Sequence, residues 1–164
     1  MESDPIEKPA ETPIERIVRL AFHDDRDRFQ RFVDLLRAVT PPGVEVIVRG
    51  SAVTGTRWSD GQPFDAEGPG TSDLDVTFIG GGMLQHWDSF YIPGLHTVPL
   101  SEEHPDACPP LSDLRRQLGD LAGRPVNLQA STDFVQFARD VLFEQPYVTL
   151  IPKEAADVAP GEEA

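Results

Sequence analysis

A single cysteine, Cys108, stands in a chain of 164 residues. No intramolecular disulfide can form, and nothing points to an oxidising compartment. Basic residues are scarce as well: 14 Lys and Arg face 28 Asp and Glu, a formal net charge of −14. That shortage argues against binding a long nucleic-acid backbone, which rewards a basic face. It also argues against an anionic membrane surface. It is compatible with a basic small substrate, a protein substrate, or a site that gathers divalent cations. No apolar run approaches the length needed to span a bilayer. The acidic, proline-containing start lacks the positive and apolar stretches of a signal peptide. The expectation is a soluble cytoplasmic protein with no membrane partner.

The length suits one domain with one core. Residues 1–11 and 154–164 are rich in Pro, Ala and Glu, with little to bury, and read as disordered tails around a domain over 12–153. Apolar residues recur at helical spacing from about Pro13 to Val39, in two stripes separated by His23-Asp24-Asp25-Arg26-Asp27. One long helix and two shorter ones both fit this pattern. Thr40-Pro41-Pro42-Gly43 ends it. The β-branched run Val44 to Val48 reads as a strand, and Leu74 to Ile79 as a second one that Gly80-Gly81-Gly82 closes. Between them Ala52 to Gly55 fits a short helix or turn, and Thr56 to Thr71 a loop.

Met83 to Pro110 reads as mostly loop, with room for one short helix or strand, and segments of this length are often functional. Leu111 to Leu121 is a predicted helix, and Val126 to Gln129 a third strand. A further helix is expected to run to about Phe143, capped by Ser131 or Thr132, with Phe134, Val135, Phe137, Ala138, Val141 and Leu142 as its core face. Tyr147 to Ile151 fits a last strand. The fold class is therefore α/β or α+β, a small mixed sheet flanked by helices.

The chemistry concentrates in VIVRGSAVTG, a loop, and GTSDLDVTFI. Asp73 and Asp75 lie two apart at the start of a strand, so both project from one face while Leu74 and Val76 point into the core. Two carboxylates projecting together repel each other, and a divalent cation removes that penalty. Hard oxygen ligands suit magnesium. Upstream, Gly50 allows close approach of a phosphate to the backbone. The Ser51 hydroxyl and the neighbouring amides, together with Arg49, can bind phosphate oxygens.

This Gly-Ser turn followed by Ser72-Asp73-Leu74-Asp75-Val76 resembles the signature of the DNA polymerase beta-like nucleotidyltransferase superfamily. The similarity covers about Val44 to Ile79, and the element order extends it loosely to Gln129. The resemblance implies a nucleotidyltransferase fold in which Gly50 and Ser51 bind the phosphates of a nucleoside triphosphate; Arg49 and Ser72, beside them in the sequence, are further candidate nucleotide-binding residues. It implies that Asp73 and Asp75 are the catalytic carboxylates and hold Mg2+ in a two-metal site. A nucleoside monophosphate would pass to a hydroxyl on a protein or small molecule. Two departures stand out. The interval from Ser51 to Asp73 is long, as in a toxin-like or effector-like subgroup. The third family carboxylate is expected where Asn127 stands, and an amide is a poorer metal ligand that cannot take the acceptor proton. A catalytically inactive nucleotide-binding or protein-interaction module, possible in a toxin-antitoxin or effector system, is the alternative.

Other residues have plainer readings. Arg57 suits a surface salt bridge. Trp58 and Phe64 could stack on a nucleobase or pin the long loop to the body. His96, His104, Asp106 and Cys108 crowd one segment but match no standard zinc spacing. Cys108 is expected to be an inert, partly buried thiol.

Overall fold

The computed structural model describes residues 10–57, 59–87, 98–132, 137, 142 and 145–153. Its first helix, α1 (Pro13–Phe22), begins at a Thr-x-x-Glu sequence. The Thr12 hydroxyl accepts from the Glu15 amide at 3.1 Å, and Pro13 occupies the first turn, where its missing N–H costs nothing. His23 and Asp24 then take left-handed backbone conformations (φ 51° and 63°). Asp25 follows as the cap of α2 (Arg26–Val39), its carboxylate accepting from the Arg28 amide at 3.0 Å. The two apolar stripes therefore belong to two helices. Their packing is fixed by Phe22, whose ring meets Phe29 and Phe32 edge-on at centroid distances of 5.5 and 5.2 Å.

Four strands form one mixed sheet in the order β3-β2-β1-β4, comprising β1 (Glu45–Arg49), β2 (Leu74–Ile79), β3 (Val126–Ser131) and β4 (Tyr147–Ile151). Strand β1 runs antiparallel to both β2 and β4, and β2 runs parallel to β3. Period-two alternation sorts the side chains onto two faces. Val46, Val48, Leu74, Val76, Phe78, Val126 and Leu128 join the main core with Ile17, Phe22, Phe32 and Leu36 from α1 and α2. Leu114 and Leu118 complete it from α5 (Ser112–Ala122). On the opposite face Ile47 and Ile79 pack with Phe137 and Leu142.

The structure is mixed α/β, as the residue patterns predict, with four local differences. Gly81 and Gly82 do not merely stop β2; they open a one-turn helix, α4 (Gly81–Leu84), which buries Met83. Strand β3 runs on past Gln129 to Ser131, two residues further than the sequence pattern reaches. The segment before α5 is not simply loop: Leu100 bridges to Leu128 on the outer edge of β3, and Pro109–Leu111 form a 3-10 turn. Glu11, placed by composition in the N-terminal tail, accepts hydrogen bonds from Arg16 and Arg19 of α1. The predicted helix over about 132–143 lies mostly outside the described residues, as do residues 1–9, 154–164, Trp58 and His96. Among the described residues no helix is long and apolar enough to cross a membrane.

Candidate functional site

Sheet register builds the site. Arg49 ends β1 directly opposite Asp75 on β2, and Asp75 lies directly opposite Asn127 on β3. Directly opposed residues share a face, with Cβ atoms about 5 Å apart. Arg49, Asp75 and Asn127 therefore form one polar row across three strands. Asp73, two residues before Asp75, adds a second carboxylate to the same face. The Asn127 amide ties them together: its Nδ2 donates to Asp73 Oδ2 at 2.8 Å and to Asp75 Oδ1 at 3.0 Å.

Two carboxylates thus converge on one atom. That is the geometry a divalent cation would use, with the amide nitrogen occupying the electropositive position. Oxygen donors of this kind fit magnesium, which commonly takes one or two protein carboxylates and completes its shell with substrate phosphates and water. A half-turn of the Asn127 amide would present its oxygen instead. Among the described residues no group of three or more His, Cys, Asp or Glu side chains comes together to form a denser metal site. Burial at the strand end raises the pKa of Asp73, and the charge of Asp75 raises it further; Asn127 and Arg49 offset part of this.

The strand ends open into a cleft of about 420 Å³ whose wall includes Arg49, Gly50, Ser51, Asp73, Asp75 and Gln145. Gly50 has φ 101°, a conformation that side-chain-bearing residues rarely adopt, and a Cβ there would lie 3.6 Å from Asp75 Oδ2. The Gly-Ser turn and the carboxylates therefore face each other across a short gap. Ser51 opens the one-turn helix α3 (Ser51–Thr54). The Arg49 side chain lies in the wall of the cleft, and its Nε is shielded from solvent with no hydrogen-bond partner among the described residues.

A second cleft, of about 360 Å³, opens on the β3 side. Asp73 and Thr71 line both clefts, and Asn127 lines the second. Its remaining lining includes Ser101, Glu102, Glu103 and His104, with no Lys or Arg among the described residues.

The long loop between Ser51 and Asp73 is held by a network that the sequence does not reveal. The Arg124 side chain is 1% exposed and pairs with Asp65, Nη1 to Oδ1 at 2.8 Å. The same Nη1 donates to the Ser72 carbonyl at 2.9 Å, and the guanidinium lies 4.5 Å above the Phe64 ring. Asp65 in turn accepts from the amides of Ser72 and Gly70 at 2.9 and 3.2 Å. Burial alone would raise the Asp65 pKa, but hydrogen bonds from Arg124, Ser72 and Gly70 outweigh it and hold the carboxyl below its usual value.

Several individual readings resolve here. Ser72 borders the cleft, but its hydroxyl accepts from the Asp65 amide at 2.7 Å, so it anchors the loop. Phe64 supports Arg124, which makes it a pin for the loop and not a base-stacking residue. Arg57 pairs with Asp60 and Glu67, each at 3.2 Å. Cys108 is fully buried, its sulfhydryl donating to the His86 carbonyl at 3.2 Å, and burial pushes its pKa to about 11.

Comparison with protein-family models, curated proteins and solved structures finds no match for this chain.

Proposed function

We propose that the chain is a magnesium-dependent nucleotidyltransferase that moves a nucleoside monophosphate from a nucleoside triphosphate to a hydroxyl of a small molecule or protein. One observation carries this reading: Asp73 and Asp75 converge on a single point at the rim of a cleft that also contains the Gly50-Ser51 turn and Arg49. Phosphates lie along the Gly-Ser turn, and the Arg49 guanidinium in the same cleft wall meets a phosphate oxygen. Magnesium held between these carboxylates and the nucleotide would neutralise charge on the leaving pyrophosphate and acidify the acceptor hydroxyl.

The acceptor hydroxyl releases its proton to water, its oxygen forms a bond to the α-phosphorus as the bond to the bridging α–β oxygen breaks, and pyrophosphate departs. In-line displacement puts the acceptor opposite the leaving group. With pyrophosphate beside Gly50 and Ser51, the acceptor enters through the second cleft, across Asp73 and Asn127. Glu102 and Glu103 there favour an acceptor carrying positive charge, which agrees with the acidic balance of the whole chain.

A second reading, a nucleotide-binding module without catalysis, is favoured by Asn127, because an amide cannot accept the hydroxyl proton. Calorimetry with ATP, GTP, CTP and UTP, with and without Mg2+, tests nucleotide binding itself. Incubation with α-labelled nucleotide and cationic hydroxyl compounds or protein acceptors separates the two readings. Absence of binding counts against both readings, and magnesium-independent binding counts against the transferase.

A further inference from the structure

The long loop between Ser51 and Asp73 supplies one wall of the nucleotide cleft, through Arg57, Ser59, Ala66 and Glu67. Arg57 has a fixed backbone place in that wall. Its N–H donates to the Gln62 carbonyl at 2.7 Å, its carbonyl accepts from the Gly61 amide at 2.9 Å, and Thr56 beside it bridges to Pro63. Its guanidinium is held by two carboxylates, Nη1 by Glu67 Oε1 and Nη2 by Asp60 Oδ2, each at 3.2 Å. Both carboxylates are open to water, the Glu67 side chain at 71% exposure and that of Asp60 at 47%. Ion pairs this exposed contribute little. Arg124 differs: 1% exposed and tied to both oxygens of Asp65, it is part of the frame. The loop therefore has one arginine fixed in the interior and one loosely held beside the cleft.

The charged residues described in the cleft wall are Arg49, Arg57, Glu67, Asp73 and Asp75. With a cation assigned to Asp73 and Asp75, Glu67 is the remaining carboxylate against two guanidinium groups. A terminal phosphate carries more charge than Glu67 and can take two parallel hydrogen bonds from an arginine. In-line transfer decides which phosphate comes to the loop. The acceptor approaches the α-phosphorus from the second cleft, so the pyrophosphate extends away from that cleft. Arg57 and Glu67 are not among the described residues that line the second cleft. They lie where the far end of the polyphosphate is directed.

We propose that Arg57 exchanges its exposed carboxylate partners for the terminal phosphate of the nucleotide, so that the loop distinguishes a triphosphate from shorter nucleotides and Glu67 competes with the ligand for the guanidinium. This rests on the nucleotidyltransferase reading, and its test keeps the two apart. The affinities of ATP, ADP, AMP and inorganic tripolyphosphate are measured by calorimetry in Mg2+ for the full chain and for Arg57→Gln, Arg57→Lys and Glu67→Gln, with thermal melts to verify folding. Arg57→Gln should weaken ATP and tripolyphosphate about tenfold or more, the scale of one hydrogen bond to a charged group. It should weaken ADP less and leave AMP unchanged. Arg57→Lys should recover part of the loss, since the charge is kept without the planar fork. Glu67→Gln should tighten ATP several-fold, the opposite sign to Arg57→Gln. An ion pair that only braces the loop predicts the same sign for both substitutions. An unchanged ATP affinity in Arg57→Gln, an equal loss for ATP and AMP, or no tightening in Glu67→Gln would overturn the exchange alone. Failure of tripolyphosphate to bind the parent chain in Mg2+ would overturn the phosphate site beneath it.

Discussion

Arg124 donates to both carboxylate oxygens of Asp65, 59 positions earlier in the chain, from Nη1 at 2.8 Å and Nη2 at 3.2 Å. The bond joins the start of β3 to the middle of the long loop, and through Ser72 it fixes the residue that precedes Asp73. Removing one partner leaves a charge and several polar groups without compensation. Arg124→Ala should therefore lower stability by about 3–5 kcal/mol, read from urea unfolding. Arg124→Lys should recover little of it, because an ammonium cannot reproduce the planar fork. If Arg124→Ala unfolds at the parent's urea midpoint, the pair does not hold the loop.

The same pair sets a pH response. The folded-state pKa of Asp65 is below its ordinary value, so its stabilising contribution is present above the unfolded carboxylate pKa near about 4. It is lost as pH falls through the lower folded value. Asp65→Asn should show a smaller loss of stability than the parent between neutral pH and the acid transition, as measured by denaturant titrations at a series of pH values. An unchanged slope would remove Asp65 from the acid response.

Charge at the carboxylate pair can be altered in both directions. Asp73→Asn with Asp75→Asn should abolish the rise in melting temperature on adding Mg2+ and nucleotide, and any transfer of label, while leaving the fold intact. Persistence of labelling in this variant would rule out the assigned centre.

Asn127→Asp makes the opposite change. It replaces the amide that bridges Asp73 and Asp75 with a third carboxylate. Without metal this variant should be less stable by about 1–3 kcal/mol, through lost hydrogen bonds and added repulsion. Mg2+ should restore stability and be bound at least tenfold more tightly. Thermal melts across a magnesium titration distinguish this from an ordinary destabilising substitution, which metal does not repair.

Cys108 offers a probe of the core. Buried, with its pKa pushed to about 11, it should stay almost wholly as the thiol at neutral pH. Its reaction with a thiol reagent should follow global unfolding, with a rate that rises in denaturant in step with loss of secondary structure. Rapid labelling of the native protein would mean that the 3-10 turn and α4 region open locally.

The parts of the site carried by short-range pattern are legible in the sequence. Gly50-Ser51 follows a β-branched run, and Asp73-Leu74-Asp75 alternates at strand period, so turn, strand and shared face all follow from neighbouring residues. The α1–α2 boundary is less determinate, because both apolar stripes fit one helix; His23 and Asp24 adopt left-handed backbone and settle it as two. Arg124 and Asp65 carry no local signature, since only the folded chain brings them together. Tyr147 is unremarkable in the sequence as well. Its pairing opposite Arg49 depends on β4 lying beside β1, and sheet order is a property of the tertiary fold.

That order has a consequence for synthesis. Strand β1 is complete by Arg49, but one of its two neighbours, β4, begins only at Tyr147. A nascent chain released no further than α5 carries β1 with one hydrogen-bonding edge open. Chains truncated before residue 147 should pair through that edge and aggregate, so release of the last strand closes the side of the sheet that short fragments leave available to one another.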